Sequence, residues 1–322
     1  MNRILIIKLG ALGDVVMATP LVEAIMRHHA GSAVTLLTTP PFAPLFGAWP
    51  GLAVHAVPRR GLANQLALVR WLRGQGFTRV YDLQANDRSG WWCALSGIAE
   101  RVGNHPRWPY TLHPASAWRG QSHIYTRLCE VLAAAGVVVD ASRPSLPADD
   151  ATQARVDDWL AARAASDARL VLLHAGASPT RPGKRWPHFA ALAARLRAAG
   201  FTLAWLGAEA ERELNASLCT AGDLDATAAF DILALAELGR RACFAVTNDS
   251  GPMHVLSAAG IPVFGLFGPS DWRRNHALGQ AERVIACVEV VPGYAGAASG
   301  DCLAALDAGA VWARLGAAGV LG

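Results

Sequence analysis

Residues 247–271 read TNDSGPMHVLSAAGIPVFGLFGPSD, and their punctuation decides the fold. The run just before and into this stretch, Cys243–Thr247, is short and unbroken, as a strand buried in a parallel sheet is. Asn248 to Gly251 is turn chemistry, with Asp249 or Ser250 as the helix cap. Pro252 suits the first helical position: its fixed φ fits there, and its missing N–H would have had no helical partner. A short helix is expected over Met253–Ala259, with Gly260 as its stop. Pro262 breaks the chain again before a second apolar strand, Val263–Phe267. Strand, glycine turn, helix and strand form the repeating unit of a doubly wound α/β sheet. A helix N-terminus at such a turn favours an anion, because its N–H groups and dipole point at it. A merely capped helix in any α/β sheet would read the same way, so function has to be sought along the rest of the chain.

The N-terminal residues repeat the pattern. Residues 3–8 (RILIIK) read as a strand, Gly10 to Asp14 as a turn, residues 15–29 as a helix, and 34–38 as the next strand. The G-x-G-x-x-G fingerprint is missing, and the second strand runs into Thr-Thr-Pro-Pro with no acid for a ribose, so no nicotinamide cofactor is expected. Asp14 has two readings. It caps the first helix, or it is a carboxylate at the ligand edge of the sheet, able to take a proton from a hydroxyl. Further short strands are expected near 54–57, 79–83 and 100–103. Residues 105–119, rich in Trp, Pro and Arg, read as a long surface loop.

At 140–153 the composition shifts to Pro, Ser and Asp, which marks a linker and two domains, 1–145 and 146–322. The alternation then restarts with a strand at 170–174, a glycine turn at 175–178 and a polar loop carrying Lys184. Lys184 is the sole lysine of this half and sits where a phosphate would lie. After the next strand, Glu209 and Glu211 either accept from ribose hydroxyls or simply complement a helix N-terminus. Asp223-Leu224-Asp225 has the look of a metal-binding pair, but no third carboxylate is near in sequence, and it reads as a surface loop.

Composition excludes several classes. No apolar run reaches 18 residues, so no membrane span is expected, and Lys8 and Asp14 interrupt what could pass for a signal peptide. The six cysteines lack C-x-x-C spacing and read as free thiols of a cytoplasmic protein, with no zinc site. The formal charge is +4, carried almost wholly by arginine, much of it in the first half. That describes either an Arg-biased surface or a basic face for phosphate, carboxylate or anionic lipid. No nucleic-acid motif accompanies it.

Five blocks carry a resemblance: IIKLGALGDVVMATP (6–20), DLQANDRSG (82–90) with RVG (101–103), HAGAS (174–178) with KRWP (184–187), GAEAERE (207–213), and NDSGPMHVLSAAGIPVFGLFGPSD (248–271). In these blocks and their order the chain resembles the bacterial lipopolysaccharide heptosyltransferases, family nine of the glycosyltransferases. The resemblance implies a GT-B fold, two Rossmann-like domains facing a cleft. It places the acceptor on the N-terminal domain and a nucleotide-sugar donor, ADP-heptose, on the C-terminal one. It implies inversion without a metal or other cofactor, an acidic lipopolysaccharide core acceptor, and a cytoplasmic enzyme with peripheral contact to the inner membrane. By the same carry-over Asp14 is the base, Lys184 binds the diphosphate, and Ser250, Gly251 and Met253 hold the same phosphates. Asp249 contacts the sugar, His254 lies at that helix start, Glu211 rather than Glu209 meets the ribose, and Arg59 and Arg60 face the acceptor. The chain departs from the family at Ala226–Phe230, where many relatives carry a polar turn. The alternatives are a nucleotide-sugar 2-epimerase-like enzyme of the same fold and a non-catalytic sugar-nucleotide binder.

Overall fold

A computed structural model describes residues 2–58, 61–118, 120, 122–178, 180–268, 270–291 and 302–322. The expected acceptor residues Arg59 and Arg60 lie outside these. The chain divides into two compact units, Met1–Pro147 and Ala148–Gly322.

In the first unit the elements run β1 (Arg3–Ile7), α1 (Leu12–Met17), α2 (Thr19–His28), β2 (Ala33–Thr38), β3 (Leu52–Ala56), α3 (Leu62–Gly74), β4 (Arg79–Asp82), α4 (Asp87–Leu95), β5 (Glu100–Val102) and α5 (Ile124–Ala133). All strand pairs are parallel, in the order β3-β2-β1-β4-β5. β1 is buried on both faces from Ile4 onward, which is why it reads as an unbroken apolar run. Where one helix was expected over 15–29, two are found. Pro20 has no N–H to give the Val16 carbonyl, and the Thr19 hydroxyl takes that carbonyl instead at 2.8 Å. The same hydroxyl accepts from Ser145 N at 2.9 Å, tying the end of the unit to its beginning.

The 105–119 loop is anchored to the sheet. Tyr110 is buried and its hydroxyl donates to Asp82 Oδ2 at 2.6 Å. Gly103 permits this: a Cβ there would lie 2.1 Å from the Tyr110 ring.

The second unit runs α6 (Asp150–Ala161), β6 (Leu170–His174), α7 (Phe189–Ala198), β7 (Thr202–Gly207), α8 (Arg212–Leu218), β8 (Leu224–Thr227), α9 (Ile232–Arg240), β9 (Phe244–Asn248), α10 (Gly251–Ser257), β10 (Val263–Phe267), α11 (Trp272–Asn275), β11 (Val284–Ala286), α12 (Cys287–Val290) and α13 (Ala308–Ala317). Its parallel sheet has the order β11-β10-β9-β6-β7-β8. Both sheets thus wind outward in two directions from their first strand. The strand order reverses between β1 and β4 in one and between β6 and β9 in the other, and ligands of such sheets bind beyond the carboxyl ends of those strands.

Two apolar layers cover the second sheet. One includes Phe189, Trp205, Phe244 and, from α13, Val311 and Leu315. The other includes Leu172, Leu206, Met253 and Leu256. Burial of Val311 and Leu315 contributes about 1.5–3 kcal/mol each, and Asp307 caps their helix by accepting from Ala310 N at 2.7 Å. Asp223 is no surface group: its side chain is 2 % exposed, ion-paired with Arg197 at 2.5 Å and hydrogen-bonded by Trp205 Nε1 at 2.9 Å. Burial pushes its carboxyl up, but Arg197 and Trp205 outweigh this and hold it below the ordinary value. Its oxygens are therefore committed within the protein. Among the described residues no group of three or more His, Cys, Asp or Glu side chains could hold a metal ion.

Candidate active site

At the carboxyl end of β1, the chain turns through Leu9-Gly10-Ala11 into α1. Asp14 sits in the first turn of that helix, three residues past its cap Ala11, and accepts from Ala11 N at 3.2 Å. It was expected at the cap itself; the helix starts earlier because Leu12 and Gly13 already take helical positions. The turn is pinned from the neighbouring strand. Leu9 N donates to Gln84 Oε1 at 2.8 Å, and the buried Lys8 donates from Nζ to the Leu83 carbonyl at 3.0 Å. From the other side the Thr39 hydroxyl donates to the Leu9 carbonyl at 3.0 Å. Asp82 Oδ1 accepts from both Gln84 N and Ala85 N at 3.0 Å, which fixes the turn after β4 that presents Gln84 to Leu9. Gln84 and Asp82 belong to a block noticed in the sequence, but nothing local shows that Gln84 braces the turn before Asp14, because its partner Leu9 follows another strand.

The second switch point gathers more groups. Lys184 ends a short 3-10 turn, Pro182–Lys184, and its Nζ lies 2.5 Å from Asp249 Oδ2, just past β9. Their side chains are 12 % and 4 % exposed. Asp249 also accepts from Ser270 Oγ at 2.5 Å and from Asn275 Nδ2 at 3.1 Å. Ser250 is the N-cap residue of α10 by its backbone, but its hydroxyl turns away to lie 3.0 Å from His174 Nδ1. His174 Nε2 in turn lies 3.4 Å from Glu211 Oε2. Glu211 also accepts from Ala208 N at 2.9 Å. Burial pushes its carboxyl up, and His174, the Ala208 N–H and Arg185 together bring it below the ordinary value. Glu209, two residues earlier, pairs instead with Arg212 on the surface, with 70 % of its side chain exposed.

Gly176 makes room for this arrangement, since a Cβ there would sit 1.5 Å from Glu211 Oε1. Asn248 fixes the same turn: Nδ2 donates to the Ala175 and Gly176 carbonyls at 2.8 and 3.1 Å, and Oδ1 accepts from Trp186 N at 3.1 Å. Gly251 opens α10 and His254 is buried within it. The Met253 side chain points into the apolar core, leaving only its backbone toward the turn. One sheet edge thus carries a cation–carboxylate pair, a helix start with N–H groups, and an inward carboxylate held by a histidine. Such a set can hold a diphosphate and a polyhydroxyl group side by side. Sequence reasoning missed His174, Asn248, Ser270 and Asn275. The signal for His174 was its place between an apolar strand and a glycine turn.

Residues 65–290 match the family model described as glycosyltransferase family 9 (heptosyltransferase). The chain is 25 % identical to lipopolysaccharide heptosyltransferase 2 of Escherichia coli (strain K12), over 93 % of this chain and 91 % of that one. Among solved structures it resembles a glycosyl transferase family 9 protein from Veillonella parvula DSM 2008, with a TM-score of 0.85, 21 % identity, and 99 % and 97 % of the two chains covered. It also resembles the E. coli ADP-heptose lps heptosyltransferase II, with a TM-score of 0.76, 21 % identity, and 100 % and 98 % coverage. The two parallel sheets are those of the GT-B fold.

Proposed function

The chain belongs to glycosyltransferase family 9, and from that premise we propose that it transfers a heptose or related sugar from ADP-heptose to a lipopolysaccharide inner-core acceptor, with inversion and without a metal ion. The observation that carries this reading is the Lys184–Asp249 pair beside the start of α10 and the Glu211 carboxylate, all on one edge of the second sheet. The ADP-heptose donor named for the E. coli relative has the two groups such an edge suits, a diphosphate and a ribose.

In this reading the second unit holds the donor. Lys184 and the N–H groups at Gly251 and Met253 offset the negative charge that grows on the departing ADP. Asp249 accepts hydrogen bonds from the sugar, and Glu211, not the outward Glu209, accepts from the ribose hydroxyls. Ser250 and His254 complete the phosphate side. The first unit holds the acceptor, with Arg59 and Arg60 toward its acidic groups. Asp14 takes the proton as the acceptor hydroxyl attacks the anomeric carbon; the new glycosidic bond forms on the face opposite the breaking sugar–phosphate bond, and ADP leaves. The turn at Leu9–Ala11 suits this role, because Gln84 and Thr39 hold Leu9 from the two neighbouring strands and the Ala11 N–H donates to the carboxylate itself.

The test is ADP release from ADP-heptose with and without a lipid-linked inner-core acceptor, with EDTA present. ADP formed only with acceptor, together with a heptosylated product, is the expected result. A free or epimerised sugar formed from donor alone would overturn the transferase reading.

A further inference from the structure

Glu211 lies in a slot between two glycines. A Cβ on Gly176 would meet its Oε1 at 1.5 Å, and a Cβ on Gly207 would lie 3.1 Å from its Oε2. Room alone does not aim a carboxylate; its hydrogen bonds do. Ala208 N, in the same turn, donates to Oε2 at 2.9 Å. The other hold on that oxygen comes from a distant strand: His174 Nε2, at the carboxyl end of β6, lies 3.4 Å away. Oε1 takes neither contact. Burial pushes the Glu211 carboxyl up, and His174 is foremost among the groups that bring it back down. Glu209, two residues earlier and without such a hold, turns to Arg212 at the surface.

The ring is held on its far side as well. His174 pairs with Thr247 in the register of β6 and β9, and its side chain is 3 % exposed. Its Nδ1 meets Ser250 Oγ at 3.0 Å, and that hydroxyl lies 3.1 Å from the Asn248 carbonyl. Ser250 has the N-cap place of α10, where a serine hydroxyl ordinarily accepts from its own helix, yet it makes no such bond. It is given to the ring instead. A buried imidazole gripped through one nitrogen and donating through the other can fix a carboxylate far more closely than a surface contact can. We propose that His174 is a positioning residue of the donor edge: it clamps Glu211 Oε2, leaves Oε1 for the paired hydroxyls of a nucleotide ribose, and ties that carboxylate to the Ser250 turn. The inference rests on the reading of Glu211 as the ribose contact. It goes further in making that contact depend on a side chain that itself touches no ligand.

The test is calorimetry of the full chain with ADP and with dideoxy-ADP, which lacks both ribose hydroxyls. A carboxylate bound to those hydroxyls should make the wild type prefer ADP about tenfold or more, and Glu211→Ala should abolish the preference. His174→Gln can set its amide N–H where Nε2 stood, and His174→Asn can set its amide where Nδ1 stood. The Gln variant should therefore keep most of the preference. The Asn variant should lose it as fully as Glu211→Ala does, while both bind dideoxy-ADP within about twofold of wild type. Ser250→Ala, which frees the far side of the ring, should lower the preference part-way. The inference is overturned if His174→Asn keeps the wild-type preference, if His174→Gln loses as much as His174→Asn, or if both variants weaken the two nucleotides equally, which is all that a merely structural histidine would do. Where an amide variant does not fold, Ser250→Ala decides: an unmoved preference overturns the tie. A wild type that binds ADP and dideoxy-ADP alike overturns the ribose reading of Glu211 itself, and this inference with it.

Discussion

Lys184→Ala tests the donor edge and its energetics at once. From the sequence Lys184 sits in a polar loop and its removal should leave the fold untouched. The structure predicts otherwise, because Lys184 is the cation of a carboxylate only 4 % exposed. Stripping one partner from a buried pair costs about 3–5 kcal/mol when nothing else compensates. Here Asp249 keeps its bonds from Ser270 and Asn275, so the loss falls to about 2–3 kcal/mol, the worth of one charge-assisted hydrogen bond. For a unit of this size that lowers the melting temperature by roughly 5–10 °C. Asp249→Asn removes the charge Lys184 answers, so the double variant should lose less than the two single ones together, with a coupling of about 1–3 kcal/mol. Urea unfolding of the four proteins gives the cycle, and calorimetry with ADP gives the ligand side. ADP affinity should fall roughly ten- to a hundredfold in Lys184→Ala. Additive stability changes would refute the pair as an energetic unit, and unchanged ADP affinity would remove Lys184 from the donor site.

Three further outcomes are expected. Asp14→Asn keeps an oxygen for the Ala11 N–H, so melting temperature and ADP affinity should hold while turnover drops about two to four orders of magnitude; preserved turnover would leave Asp14 as a helix-start residue only. Gly176→Ala forces Glu211 out of its place, so nucleotide binding should weaken in calorimetry, and an unchanged affinity would remove Glu211 from the donor site. Asp223 titrates lower in the fold than its ordinary 3.8, so its contribution is present above about pH 4 and is lost as pH falls through the folded value. Arg197→Gln should therefore raise the midpoint of acid unfolding followed by circular dichroism, and an unmoved midpoint would contradict the pairing.

How much of this was legible beforehand depends on the range of each interaction. Strands, glycine turns and helix starts were readable because they are written within a few residues: the apolar runs of β1 and β6 and Pro252 at the opening of α10. The α/β class and the family followed from those turns and the blocks around them. Where Thr19 and Pro20 split the first helix, the deciding atom was still close by, and the proline was there to be weighed.

The site's internal arrangement was not so written. Lys184 and Asp249 are 65 positions apart, His174 and Ser250 are 76 apart, and Leu9 and Gln84 are 75 apart. Each pair meets because the strand order reverses beside β1 and β6, bringing the ends of non-consecutive strands together. The same holds for Glu211 turning inward while Glu209 turns out, with the room left by Gly176 in the turn after β6, and for Asp223, whose partner Arg197 comes from α7. The sequence by itself determined the elements and the family, since those rest on short-range backbone preferences and local motifs. Only the tertiary structure decided which charges are buried and what each carboxylate faces, since burial and pairing depend on neighbours that the sheet order, not the chain order, supplies.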